Sequence, residues 1–254
     1  MTRLLTVATW NIFGGRTWDG SRVDLELTVA VLRRLDADLV AVQEVDRDQA
    51  RSHGADQARL LGQALGMEWR YAPALLGTPG SPEGWRAPAP GDADPGGTAY
   101  GIALLSRLPL EEVETVLLPQ SGRDEPRVAL VAGLADGGRH LTVAGTHLSF
   151  VPGPNVGQLR ALQRHLDDRG GPRLLLGDLN LWWPAVRLLS LPGWRPLVQG
   201  GTFRNRPPGS SAPLVQLDHV LAAGADATLR PRAGRIVSGP ASDHRAVVVE
   251  LEWS

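Results

Sequence analysis

Cysteine is absent from the 254 residues, which excludes disulfides, thiolate metal sites and a cysteine nucleophile. Any metal must then be held by oxygen or nitrogen, and cysteine usage says nothing of the redox compartment. Lysine is absent too, since all 26 residues of the Lys+Arg total are arginine. No apolar run approaches the roughly 20 residues needed to cross a bilayer. MTRLLTVATWNIF lacks the longer apolar region and small-residue cleavage site of a signal peptide, so a cytoplasmic location is expected. The formal net charge of −1 lacks the basic excess of proteins that track nucleic-acid phosphates. Long-duplex binding is thereby disfavoured, although a local arginine patch can serve on a neutral protein.

What is present is an ordinary globular composition, 43% apolar and 21% charged, with length enough for a substantial core. Short runs rich in branched apolar residues, bounded by Gly, Pro or Asp, predict strands: LLTVATWNIF, DLVAVQEV, GIALLSR, RVALVAGLA, HLTVAGTHLSF, RLLLGDLN, VQLDHVLAA and RAVVVELEW. Helical spacing of apolar residues appears in VDLELTVAVLRRLD, ADQARLLGQALG and VGQLRALQRHLDD, and more weakly in WPAVRLLSL. With no composition break and no repeat, residues 1–254 read as one domain. The strands are too many for one comfortable sheet, so two packed sheets with helices outside are expected. Residues 76–98, rich in Pro and Gly, read as an irregular loop, either flanking a site or a plain insertion.

The polar residues fall where these strands stop. Asn11 ends the first, Gln43 and Glu44 the second, His147 a later one, and Asp178 and Asn180 follow RLLLG. Asp218 and His219 interrupt a further apolar run, and Asp243 and His244 stand before the last. Singly, each has a bland reading as a turn, a cap or a solvated strand end. Jointly, six strands delivering Asn, Glu, Asp or His at a terminus point to a site on a rigid scaffold. Carboxylates and amide oxygens without thiols suit Mg²⁺ or Mn²⁺, and histidines add proton transfer or stabilisation of developing charge. The histidines lack HExxH spacing, which disfavours a zinc hydrolase. Phosphoester hydrolysis fits this inventory best.

The blocks TWNI (9–12), VQEV (42–45), GIALLSR (101–107), GTHL (145–148), GDLN (177–180), LDHVL (217–221) and SDHRAV (242–247) together resemble the endonuclease/exonuclease/phosphatase superfamily. The resemblance runs along the whole chain in the expected order. It implies an α+β fold, a four-layer α/β/β/α sandwich of two packed mixed β-sheets flanked by helices, and a Mg²⁺- or Mn²⁺-dependent phosphoric ester hydrolase. By resemblance Glu44 is the principal metal ligand with Asn11 beside it, and Asp243 completes the sphere directly or through water. Asp178 orients or deprotonates the attacking water, while Asn180 holds the phosphate or that water. His147 contacts a phosphate oxygen. His244 contacts the scissile phosphate and gives its other ring proton to Asp218. Which group is the base, and whether one or two metals act, stay open.

Substrate choice is weakly written. Arg127, Arg204 and Arg206 are candidate phosphate contacts, with a surface ion pair or a solvated loop as the rival reading. LDHVL stands where the family more often has a tyrosine, so His219 reads as a buried histidine bonded to backbone. Trp182 and Trp183 fit packing under the next helix better than stacking on a base. The expected substrate is a phosphodiester, in nucleic acid or a small molecule, with nuclease-type attack. A phosphomonoesterase acting on a small molecule or lipid headgroup is the alternative, and a non-catalytic phosphate-binding module of the same fold is weaker. No obligate protein partner is evident.

Overall fold

The computed structural model describes residues 2–80, 84–89, 94–122, 124–204, 215–224 and 228–254. In chain order the first half runs β1 (Arg3–Asn11), α1 (Leu25–Leu35), β2 (Leu39–Arg47), α2 (Gln57–Leu65), β3 (Glu68–Gly77), β4 (Trp85–Arg86), β5 (Ala99–Ser106) and β6 (Leu110–Leu117). It continues with β7 (Val128–Asp136), β8 (Arg139–His147), α3 (Pro154–Asp167), β9 (Arg173–Asp178) and α4 (Trp183–Leu189). The last elements are β10 (Arg195–Pro196), β11 (Asp218–Ala223), β12 (Leu229–Val237) and β13 (Ala246–Trp253).

The helices start and stop where their sequences direct. Asp24 caps α1 by accepting from Leu27 N at 3.0 Å, and Asp56 caps α2 by accepting from Arg59 N at 3.1 Å. Gly66 closes α2 in the left-handed conformation. Val31, Leu32 and Leu35 of α1 lie on one stripe and pack on Val40, Val42 and Val248 of the first sheet. Leu159, Leu162 and Leu166 of α3 do the same against Ala144, Leu175 and Leu221 of the second.

The first sheet has the order β12-β13-β1-β2-β5-β3-β4 and the second β10-β11-β9-β8-β7-β6. Their facing sides share one core, to which Val7, Leu39 and Leu104 contribute from one sheet and Leu130, Leu174 and Val220 from the other. Helices therefore cover the outer faces of two packed mixed sheets, as the sequence predicts. The irregular segment expected at 76–98 is partly ordered: β4 lies inside it and pairs with the end of β3, Gly77 opposite Trp85.

Two pairs of neighbouring strands are parallel, β1 with β2 and β8 with β9, each connected through a helix as parallel pairing requires. The carboxyl ends of these four strands, together with the starts of the antiparallel β11 and β13, gather at one edge of the sandwich. That shared edge receives every strand-end residue picked out above.

Candidate active site

Register brings the groups together. On the second sheet His147 is paired with Asp178 across β8 and β9, and Asp178 with Asp218 across β9 and β11. Close approach at this point needs a glycine: a Cβ on Gly177 would sit 2.1 Å from Thr146 O. The first residue of GDLN is thus a packing requirement that lets the next one reach the cleft.

On the first sheet a β-bulge does the positioning. The register of β2 shifts between Gln43 and Val45, and Glu44 takes φ 57°, a conformation that side chains other than glycine rarely adopt. Gln43 stays inside, its amide paired with Thr9 Oγ1 at 3.0 Å, and the extra residue turns Glu44 toward the edge. Asn180, at φ 48°, is likewise left-handed, which asparagine tolerates well.

Asn11 joins the two sheets. Its Nδ2 donates to Glu44 Oε1 at 3.0 Å and to Asp178 Oδ2 at 3.1 Å, while its Oδ1 accepts from Phe13 N at 3.0 Å. Asn11, expected as a metal ligand, stands beside Glu44 and presents its donor end to both carboxylates. Asp178 also accepts from Asn180 N at 3.0 Å, and Asn180 Nδ2 donates to Leu148 O at 3.0 Å with His147 Nε2 3.2 Å away. His244 Nδ1 lies 2.8 Å from Asp218 Oδ2, and its Nε2 3.8 Å from Asp178 Oδ2. Asp178, Asp218 and His244 thus have ligand-capable atoms within 4.8 Å of one another.

Charge in so dry a place changes proton affinities. Burial, followed by the neighbouring Asp218, pushes the Asp178 carboxyl well above its usual range. Burial opposes a charged His244, but Asp218 and Asp178 outweigh it and raise the imidazole's affinity for a proton. His147 goes the other way, held neutral by burial and by the Arg127 guanidinium. Burial raises the Glu44 carboxyl, and Asp243 is raised for the same reason. A desolvated oxygen donor whose nearest contact is a neutral amide suits a hard divalent cation.

Three polar atoms here are buried without a partner among the described residues: Arg127 Nε, His147 Nδ1 and Asp218 Oδ1. Arg127 is not the surface cation considered from sequence, being only 4% exposed, with Glu125 Oε2 3.6 Å from its guanidinium. Arg204 stands close enough to Asp243 to lower its proton affinity, whereas Arg206 lies outside the described residues. Trp182 does not pack under α4 but stands 62% exposed; Trp183 is half-buried, with Arg187 5.6 Å from its ring.

Several supporting residues escaped the sequence reading. Ser242 Oγ donates to Asn11 O at 2.6 Å and accepts from His244 N at 3.0 Å, fixing the turn that carries His244. The Ser two residues before a His is a local signal for such a turn. Thr202 Oγ1 accepts from the backbone of Leu217 and Asp218, and the Phe203 ring stands 4.8 Å from that of His244. Neither carried a motif of its own.

His219 is fully buried, with Nε2 2.7 Å from Leu181 O, and burial lowers its pKa from 6.5 to about 4. Between these values the unfolded chain binds a proton that the folded one refuses, so stability should fall as pH drops from 6.5 toward 4. The loss is on the order of 3 kcal/mol, at about 1.4 kcal/mol per unit. The stability difference between wild type and His219→Gln, from urea midpoints, should change by that amount between pH 6.5 and 4 in the wild type's disfavour; a difference independent of pH would refute the assignment.

The family model described as "Endonuclease/Exonuclease/phosphatase family" matches residues 8–244. Among solved structures, an endonuclease/exonuclease/phosphatase from Beutenbergia cavernae is 27% identical, with a TM-score of 0.77 over 99% of this chain and 72% of that one. A mannosyl-6-phosphatase from Bacteroides thetaiotaomicron is 18% identical, with a TM-score of 0.66 over 97% of this chain and 99% of that one. TDP2 from D. rerio, solved with a single-strand DNA product, is 17% identical, with a TM-score of 0.68 over 98% of each chain. No curated protein sequence matches.

Proposed function

Because the chain belongs to the endonuclease/exonuclease/phosphatase family, a superfamily of phosphoesterases, we propose that it hydrolyses a phosphoester by in-line attack of water, with Asp178 as the base. The observation that carries this reading is the setting of Asp178. It is 2% exposed, oriented through both carboxylate oxygens by Asn11 and Asn180, and faced by His147 and His244. A carboxylate fixed in this way, with raised proton affinity, is suited to take a proton from water near neutral pH.

Glu44 would hold a Mg²⁺ or Mn²⁺ ion, with Asp243 directly or through water, and Asn11 keeps Glu44 in place. When bound, such an ion supplies positive charge to a phosphate oxygen and to the leaving alkoxide. The chain's own groups do the rest. His244, kept protonated by Asp218, meets the charge that develops on the phosphoryl oxygens, and Asn180 Nδ2 and His147 stand beside it as hydrogen-bonding groups. Arg127 has an unpartnered Nε with which to draw the phosphate in.

The substrate is a phosphodiester, attacked as a nuclease would attack it, or a phosphomonoester on a small molecule or lipid headgroup. The acidic cavity described below favours the second. A non-catalytic phosphate-binding module is disfavoured, since every position of the expected machinery carries a competent residue. Among the described residues no helix is long and apolar enough to cross a membrane.

The purified protein should hydrolyse bis(p-nitrophenyl) phosphate with added Mg²⁺ or Mn²⁺ and lose that activity to EDTA. Release of p-nitrophenol that persists in EDTA would overturn the reading.

A further inference from the structure

Beside the site lies a cavity of about 610 Å³ lined by Trp85, Ser121, Asp124, Glu125, Phe150 and Val151, with Gly80 at its margin. Two connections tie it to the chemistry. Glu125 on its wall lies 3.6 Å from Arg127, the cation whose charge reaches both Glu44 and His147. Phe150 and Val151 continue the segment that begins at His147, and Asn180 Nδ2 fastens that segment through Leu148 O at 3.0 Å.

The lining has a definite chemistry. Trp85 and Phe150 offer apolar ring surfaces, and Phe150 is 67% exposed. Asp124 Oδ2 has no hydrogen-bond donor among the described residues. No arginine or histidine is among the described lining residues. A polynucleotide passing through would bring a further phosphate against Asp124 and Glu125, where like charge repels it. A quaternary ammonium group would leave Asp124 Oδ2 without a donor, and Glu125 already faces a guanidinium. A neutral ring bearing hydroxyls meets both needs: O–H groups donate to the carboxylates, and a C–H face lies on the aromatic rings.

We propose that this cavity binds the alcohol part of the substrate, a neutral polyhydroxylated group such as a hexose, so that the protein prefers a sugar phosphate to a nucleic-acid strand. The inference rests on the phosphoester-hydrolase reading for turnover, but not for binding. In the reaction water gives a proton to Asp178 and adds to phosphorus, the P–O bond to the sugar breaks, and the sugar oxygen takes up a proton from solvent, so that one water is consumed and free sugar and phosphate are released.

Two variants separate the cavity from the chemistry. Asp124→Leu removes the orphaned acceptor at similar volume, and Trp85→Ala removes a ring from a partly exposed position. Each should raise KM for hexose 6-phosphates at least tenfold with kcat within twofold, and leave hydrolysis of bis(p-nitrophenyl) phosphate unchanged. Calorimetric titration of the full chain carrying Asp178→Asn with the same hexose phosphates should show Kd at least tenfold weaker when Asp124→Leu is added. Unaltered KM and Kd, or a tenfold preference of the wild type for single-stranded DNA, a nucleoside monophosphate or phosphocholine, would overturn the proposal. A wild type that cleaves bis(p-nitrophenyl) phosphate but neither binds nor cleaves hexose phosphates would also overturn it. If neither bis(p-nitrophenyl) phosphate nor p-nitrophenyl phosphate is cleaved, the hydrolase reading fails, and the titration alone decides whether the cavity binds sugar phosphates.

Discussion

Asp178→Asn should lower kcat on bis(p-nitrophenyl) phosphate by at least about a thousandfold, within the range of a positioned general base, while the melting temperature holds or rises. Asparagine keeps the shape of the side chain, and its oxygen can still accept from Asn180 N, now 3.0 Å from Asp178 Oδ1. What disappears is the basic oxygen, with the bond that Asp178 Oδ2 accepts from Asn11 Nδ2, and a negative charge buried close to Asp218. Burial raises the Asp178 carboxyl in the folded state, so ionising it at neutral pH works against folding. The neutral variant escapes that cost. Loss of turnover without loss of stability would mark Asp178 as a group kept for chemistry. A folded variant that turns over at the wild-type rate would end its assignment as the base, and a sharply lower melting temperature would mean that the carboxylate is structural.

Glu44→Gln should abolish the response to divalent cations. In the wild type a cation at about a hundred times its dissociation constant stabilises the fold by about 2.7 kcal/mol, a rise of roughly 5–10 °C in Tm for a domain of this size. Glutamine fills the same bulge and can still accept from Asn11 Nδ2, so the fold should persist. Its Tm should be flat against Mg²⁺ or Mn²⁺, and its kcat down by at least about a thousandfold. A variant that keeps the full cation-dependent rise would place the metal elsewhere, and the group Asp178, Asp218 and His244 would be the next candidate.

The sequence made the interior of both sheets legible and their borders illegible. β12, β4, β10 and β6 are the four edge strands, and none was expected. The reason is physical. Edge strands carry charge, proline or little length, as in LEEVETVL and LRPRAGRIV, which suits a row of unpaired backbone groups facing water but hides the strand pattern. β3 was missed next to such an edge, with Pro73 at an irregularity of its register. At the site, residue identities were legible because polar groups interrupt apolar runs. Orientation was not. The bulge that turns Glu44, the amide end that Asn11 shows to the carboxylates, and the exposure of Trp182 depend on contacts between segments far apart in the chain. Asp124 and Glu125 carry no motif and interrupt no apolar run, so nothing in the sequence marks them.

The placement of β13 between β12 and β1 bears on how the protein comes into being. Synthesis is vectorial, and the earliest strand must wait for residues 246–253 before it is flanked on both sides. His244, just ahead of that strand, arrives equally late and reaches across to Asp218 on the other sheet. A nascent chain lacking this stretch can carry Glu44, His147, Asp178 and Asp218 and still have no complete centre. Pairings of such long sequence separation form slowly. The candidate site therefore stays incomplete until residues 242–253 have been made and docked between β12 and β1.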